Sequence, residues 1–230
     1  MKRTMFAYPY VVWMLIFILA PMLMIVYYAF TSASGAFTFE NVKNALLSPT
    51  YMQVLLRSVL VALESTVICL LLGYPIAYLL SKMKKSTASL ISVLFIVPMW
   101  MNFLLRTYAW QVLLSSSGII NSLLESLGFA QQQLLYTEGA VLLGTVYNFL
   151  PFMILPIYTV LMKLDSSQIE AARDLGANGP QTFFKVVLPL SVPGVISGIT
   201  MVFIPAITTF AISRLLGGGK FMLYGDLIEN

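Results

Sequence analysis

The chain has 230 residues, of which 59% are hydrophobic and 10% charged, with a net charge of +4 and a mean hydropathy of +0.89. Soluble domains carry roughly 25% charged residues, so this much apolar surface cannot all be interior and lipid must solvate a large part of it, which makes the chain an all-α integral membrane protein. Histidine is absent and Cys69 is the single cysteine. That excludes an intrachain disulfide, a Cys/His zinc site and histidine acid–base chemistry, and the basic residues are too dispersed for nucleic-acid binding.

In chain order, an almost uncharged run from about Tyr8 to Thr31 follows Lys2 and Arg3. It is long enough to cross a hydrocarbon core of roughly 30 Å and longer than the apolar core of a signal peptide, so it is expected as a retained span. Ser32 to Gln53 reads as an outer loop. A second span is expected over about Val54 to Leu80, and the basic cluster Lys82, Lys84, Lys85 after it marks the cytoplasmic side. The third span runs from about Ala88 to Leu114. In the outer segment Ser115 to Glu138, the spacing of Ile119, Ile120, Leu123, Leu124 and Leu127 predicts a short amphipathic helix. The fourth and fifth spans are expected over about Gly139 to Leu164 and Pro189 to Ser213. In this topology eight basic residues lie on the cytoplasmic side against five outside, which places the N-terminus inside.

The interval 165–188 is the longest polar stretch between two spans on that side. Ser167 with Glu170 reads as a capping box that starts a short helix. Asn178, Gly179 and Pro180 break it and open a second helix, giving a helix-turn-helix. Ile169, Ala172 and Gly176 fall on one face of the first helix by spacing, and Phe183 with Val187 and Phe184 with Leu188 form i, i+4 pairs on the second. The small and apolar groups predict a docking surface.

Inside the spans, Pro21, Pro75, Pro98, Pro151, Pro156 and Pro205 predict bent helices whose freed carbonyls are tolerated where they are packed or line a cavity. Glu64 and Arg106 are intramembrane charges at similar expected depth, either an ion pair that fixes packing or, for Glu64, a group facing a path for cations. Trp100, Tyr108, Trp110 and Tyr147, with Asn102 and Asn148, gather towards the same region, either as a cation-binding aromatic wall or as an interfacial belt. Glu64, Trp100 and Tyr147 are the candidate path residues. Gly194 and Gly198 form a GxxxG that allows close helix approach. The run Gly217-Gly218-Gly219-Lys220 is not a phosphate loop, because Arg214 stands where its first glycine belongs and Phe221 where Ser or Thr is required. No catalytic, cofactor-binding or metal-ligating residue is expected.

Glu170-Ala171-Ala172, three residues, Gly176, nine residues, Val186, one residue and Leu188-Pro189 resembles the EAA loop of inner-membrane permease subunits of binding-protein-dependent ABC importers, with Val186 where the pattern has Ile. The blocks GYPIAYLL from Gly73, VPMWMNFLLRTYAW from Val97, LLPFMILPIY from Leu150, KLDSSQIEAARDLGA from Lys163 and LLGGGKFMLYGDLIEN from Leu215 are similar to PotB-type permeases of spermidine/putrescine importers. The resemblance implies one transmembrane domain over residues 1–230 in a bacterial inner membrane. It also implies a sixth span after Gly225 to Asn230, which the sequence ends before, so the chain is expected to be truncated at its C-terminus. The implied partners are ATP-hydrolysing subunits, a second permease of PotC type and an extracytoplasmic polyamine-binding protein, with ATP bound on the partner. Glu170, Ala171, Ala172, Gly176, Leu188 and Pro189 would couple the chain to the ATPase, the helix from Ser167 to Ala177 seating in its cleft. The other readings are an importer permease for another small solute, a non-conducting assembly subunit, or a membrane-embedded enzyme, for which no nucleophile-and-base constellation stands out.

Overall fold

The computed structural model describes residues 8–32 and 34–229; Lys2 and Arg3, which anchor the sidedness argument at the N-terminus, lie outside them. Eleven helices are named: α1 Tyr8–Ala29, α2 Glu40–Leu47, α3 Pro49–Lys82, α4 Lys85–Trp100, α5 Phe103–Leu114, α6 Ile119–Ser126, α7 Glu138–Leu161, α8 Ser166–Asp174, α9 Gly179–Thr208, α10 Ala211–Gly217 and α11 Tyr224–Glu229. The described residues hold no β-strand, only an isolated antiparallel bridge between Thr31 and Phe37. The chain divides into two compact units, Met1–Gln53 and Val54–Asn230.

In the first unit, α1 contains a π-helical turn, Leu15–Leu19, and buries none of its residues. Beyond it Phe30, Phe37 and Phe39 pack as a stacked and edge-on trio. Asn41 ties the loop down, its amide donating to the Tyr28 and Thr31 carbonyls at 3.2 and 3.0 Å.

The second unit is a bundle in which α3, α7 and α9 are each long and apolar enough to cross a membrane. The inward face of α3 (Val61, Ala62, Ser65, Cys69, Gly73, Ala77, Leu80) repeats at three- and four-residue spacing. Towards the α8 end it meets Met153, Ile154, Ile157 and Leu161 of α7 with Val202 of α9. Towards the other end Val61 joins Val141, Ile212, Leu216 and Leu223. The GxxxG expected to let helices approach does so at the α7–α9 seam. A β-carbon on Gly194 would lie 3.0 Å from the Pro156 carbonyl oxygen and 3.1 Å from the Ile157 Cα, and one on Gly198 would lie 2.7 Å from the Met153 sulfur. Glycine removes the atoms that would hold the two backbones apart.

Two of the expected spans are interrupted. The third is two helices: α4 stops at Trp100, and the segment Phe103–Ser126 leaves it at 92°. Pro98 has no N–H for the preceding turn, Met101 is extended with ψ 148°, and Asn102 starts a new helix by accepting from the Leu104 and Leu105 N–H groups at 2.8 and 3.4 Å. The fifth begins earlier than expected, at Gly179, and stops at Thr208, where Thr209 is extended with ψ 132° before α10. Gly225 seats against that break, since a β-carbon there would fall 2.2 Å from the Thr208 carbonyl oxygen.

Candidate functional site

The polar helix-turn-helix between α7 and α9 is present, with different chemistry at its start. The helix α8 is capped by Asp165, whose carboxylate accepts from the Ser167 N–H at 3.0 Å. The expected Ser167–Glu170 capping box does not form. Asp is as good a cap as Ser, and with Asp165 in that role Ser167 sits inside the first turn as the donor. The same hydrogen bond, with a second contact to the Ser167 side chain, holds the Asp165 carboxyl below its ordinary range.

The helix ends on Gly176, at φ +85°, with Gly176 N–H donating to the Arg173 carbonyl at 2.8 Å and Ala177 N–H to the Ala172 carbonyl at 3.0 Å. This left-handed closure favours glycine. Gly176 therefore stands beyond the helix rather than on the face of Ile169 and Ala172. Those two are half-buried, while Glu170, Ala171 and Gly176 are exposed, and Ile169 packs against the bundle core.

A true capping box opens α9: Gln181 N–H donates to Asn178 Oδ1 at 2.9 Å and Asn178 N–H to Gln181 Oε1 at 3.0 Å, with Pro180 in the first turn. A π-helical turn follows over Phe183–Val187, closed by the Leu188 N–H on the Phe183 carbonyl five residues back. The wider turn seats Phe183 edge-on to Tyr74 at 5.8 Å and Tyr78 at 5.1 Å on α3. Tyr74 and Ser191 share a hydroxyl–hydroxyl hydrogen bond of 2.8 Å just above. Leu188 is half-buried against the core and Pro189 exposed. The loop thus has a rigid joint to α3 and α9 behind it and an exposed edge in front. Its most prominent side chain is Leu175, 90% exposed, which the sequence pattern did not single out; the available signal was a leucine placed directly before the helix-ending glycine.

The intramembrane candidates are not assembled into one site. Glu64 is exposed, on the face of α3 turned away from the bundle. Arg106 is half-buried, its guanidinium 6.0 Å from the Phe103 ring centroid and its buried Nε without a hydrogen-bond acceptor, and the two form no ion pair. Similar depth on two helices does not bring side chains to the same side. Arg57 instead pairs with Glu138 at 3.7 Å and stacks 4.4 Å over Phe221. Trp100 is 81% exposed at the α4 terminus. Tyr147 stands apart from it, edge-on to Trp110 at 5.4 Å. A further buried group is Asp226, which accepts from the Ser213 hydroxyl at 2.6 Å and the Leu223 N–H at 2.8 Å. It locks α11 against α10, and Ser58 of α3 accepts from the Tyr224 N–H at 2.7 Å beside it.

Residues 69–229 match the family of inner membrane components of binding-protein-dependent transport systems. The chain belongs to this family. Among its relatives, the spermidine/putrescine transport system permease protein PotB of Haemophilus influenzae is 42% identical over 226 residues, covering 95% of this chain and 79% of the relative. PotB of Escherichia coli is 41% identical, covering 94% and 82%, and a PotB homolog of Mycoplasma genitalium is 31% identical, covering 94% and 74%. A chain of a bacterial alginate ABC transporter, solved with an alginate pentasaccharide-bound periplasmic protein, shares the fold at a TM-score of 0.79 and 16% identity, covering 99% of this chain and 83% of that one. As a member of this permease family the chain is a multi-pass transport component of the inner membrane.

Proposed function

We propose that the chain is the permease subunit of an ATP-driven importer for polyamines, spermidine and putrescine foremost, with its N-terminus in the cytoplasm and α8 docked on a separate ATP-hydrolysing subunit. The observation that carries the cargo is the identity of 41–42% over at least 94% of the chain to two PotB permeases. What supports the coupling role is the loop's construction. Glu170, Ala171, Leu175 and Gly176 are exposed, while Ile169 packs on the bundle core and Phe183 lies edge-on to both Tyr74 and Tyr78.

In this mechanism Leu175 enters an apolar pocket of the ATPase and Ala171 lets the helix lie close to its surface. Closure of the ATPase on ATP displaces α8. The π-helical turn and its aromatic joint carry the displacement into α3 and α9 as a rigid-body tilt rather than letting the loop flex, and the tilt alternates access between the two membrane sides. A second permease of PotC type completes the path, an extracytoplasmic binding protein delivers the cargo, and Glu64, Trp100 and Tyr147 are the path-facing groups of this subunit.

The test is uptake of labelled spermidine into vesicles holding the permease pair, the ATPase and the binding protein. Uptake that requires ATP and is competed by putrescine is the expected result. ATP-dependent uptake of a different solute, with spermidine neither carried nor competing, would overturn the cargo assignment.

A further inference from the structure

The ends of α3 and α7 and the start of α8 enclose a cavity of about 240 Å³. Buried Leu161 and half-buried Ile169 give it apolar walls, and Tyr78, Ser81, Lys82 and Ser166 give it polar ones. The Lys82 ammonium stands 5.3 Å from the Tyr78 ring centroid, held there by cation–π attraction. The Ser81 hydroxyl is engaged within α3, donating to the Tyr78 carbonyl at 2.7 Å. The Lys82 ammonium and the Tyr78 and Ser166 hydroxyls have no hydrogen-bond acceptor or ion pair among the described residues.

The surroundings are predominantly basic. Lys84 and Lys85 follow Lys82 at the turn into α4, and Lys163 stands between the lining residues Met162 and Leu164. The carboxylate nearest in sequence, Asp165, lies outside the lining and accepts from the Ser167 N–H at 3.0 Å. Donors that include a full cation, set beside an apolar wall, suit an anion whose charge is spread over several oxygens and which carries carbon on its other side. A phosphate ester has that form, and basic pockets between transmembrane helices on the cytoplasmic side are where anionic headgroups bind. A bare inorganic ion would leave the Leu161 and Ile169 wall without a partner.

We propose that this cavity is a regulatory phosphate-ester site, filled by the headgroup of an anionic phospholipid or by a soluble ester of the same chemistry, with Lys82 as its charge partner and Tyr78 and Ser166 donating to the phosphate oxygens. It rests on the importer reading for its place on the cytoplasmic face and goes beyond the transport role. A phosphate held there ties the end of α3 to the start of α8. Tyr78 is also one of the two rings edge-on to Phe183, so the ligand bears on the same joint that, on the proposed mechanism, carries the displacement of α8. Occupancy of the site then makes coupling responsive to the anions of the membrane or the cytoplasm.

The test uses the complete importer in vesicles, with Leu164→Cys as a reporter on the cavity wall and uncharged N-ethylmaleimide as the label; the importer with the unmodified chain, whose Cys69 is buried, sets the background. Phosphatidylglycerol mixed into phosphatidylcholine vesicles, or glycerol phosphate present on both sides of pure phosphatidylcholine vesicles, is expected to slow labelling about tenfold, the effect of one charge-assisted contact. Protection by the lipid alone names a headgroup as the ligand, and protection by glycerol phosphate names a soluble ester; either supports the site. Lys82→Gln is expected to remove the protection and Lys82→Arg to keep it, whereas Lys84→Gln, outside the cavity wall, leaves it in place. Equal labelling under all conditions overturns the proposal, as does protection that survives Lys82→Gln or is weakened equally by Lys82→Gln and Lys84→Gln, the result of a diffuse surface charge. Vesicles that show Lys82-dependent protection but take up no spermidine count against the polyamine importer reading and leave the site standing.

Discussion

Glycine serves opposite purposes at the α7–α9 seam and in the α8 loop. At the seam Gly194 and Gly198 have ordinary helical backbone and no room, because an added β-carbon meets Pro156, Ile157 or Met153 at 2.7 to 3.1 Å. At the loop Gly176 has open space, with nothing within 4 Å of an added β-carbon, but a backbone at φ +85° that other residues rarely adopt. One region is held by packing and the other by conformation. On the proposed mechanism, a bundle that moves as a rigid body needs the first, and a loop that presents a fixed edge to a partner needs the second.

The largest effect is expected at the seam. Gly194→Leu forces the two backbones apart, and overpacking of this kind costs about 1–3 kcal/mol or more. The variant should lose thermal stability and yield of the assembled complex in detergent, with uptake falling in proportion. Gly176→Val should leave assembly intact, since its cost is the left-handed backbone of a β-branched residue, about 1–2 kcal/mol, borne by the end of α8. ATP hydrolysis would then continue while uptake drops, and Gly176→Asn, which tolerates that conformation, should retain most uptake. Equal loss of complex in both glycine variants would erase the distinction between the regions.

Smaller effects test the two caps of the loop. Asn178→Ala removes the α9 capping box at a cost of about 1 kcal/mol, seen as faster amide exchange at Gln181 and Thr182 with the rest of α9 unchanged. The Asp165 carboxyl is held low by Ser167, so its contribution is fully present above its unfolded pKa of about 3.9 and is lost as pH falls through the depressed folded value. Exchange at Ser167 should therefore be indifferent to pH through the neutral range, once corrected for its intrinsic rate, and accelerate only in acid.

Hydropathy alone made most spans legible, and the polar interval 165–188 with its glycine and proline punctuation made the helix-turn-helix legible. What could not be read was which local signal wins. Ser167 with Glu170 fits a capping box as well as Asp165 fits a cap, and only the backbone path chooses. Pro151 and Pro156 remain inside a continuous α7, whereas α4 stops two residues after Pro98, where Asn102 stands ready to cap another helix. Glu64 and Arg106 match in depth, but depth along a helix carries no information on the azimuth of one helix against another. Leu175 went unnoticed because it stands just past Asp174, the last residue of α8, where helical spacing no longer assigns a face.

The most direct test of the docking role is a photo-reactive amino acid at position 175 in the complete importer. The expected product is a cross-link from this position to the ATPase subunit, formed in high yield and changed in yield by ATP. Absence of any ATPase adduct from position 175, in vesicles that still couple ATP hydrolysis to uptake, would contradict the assignment of α8 as the element through which the permease is driven.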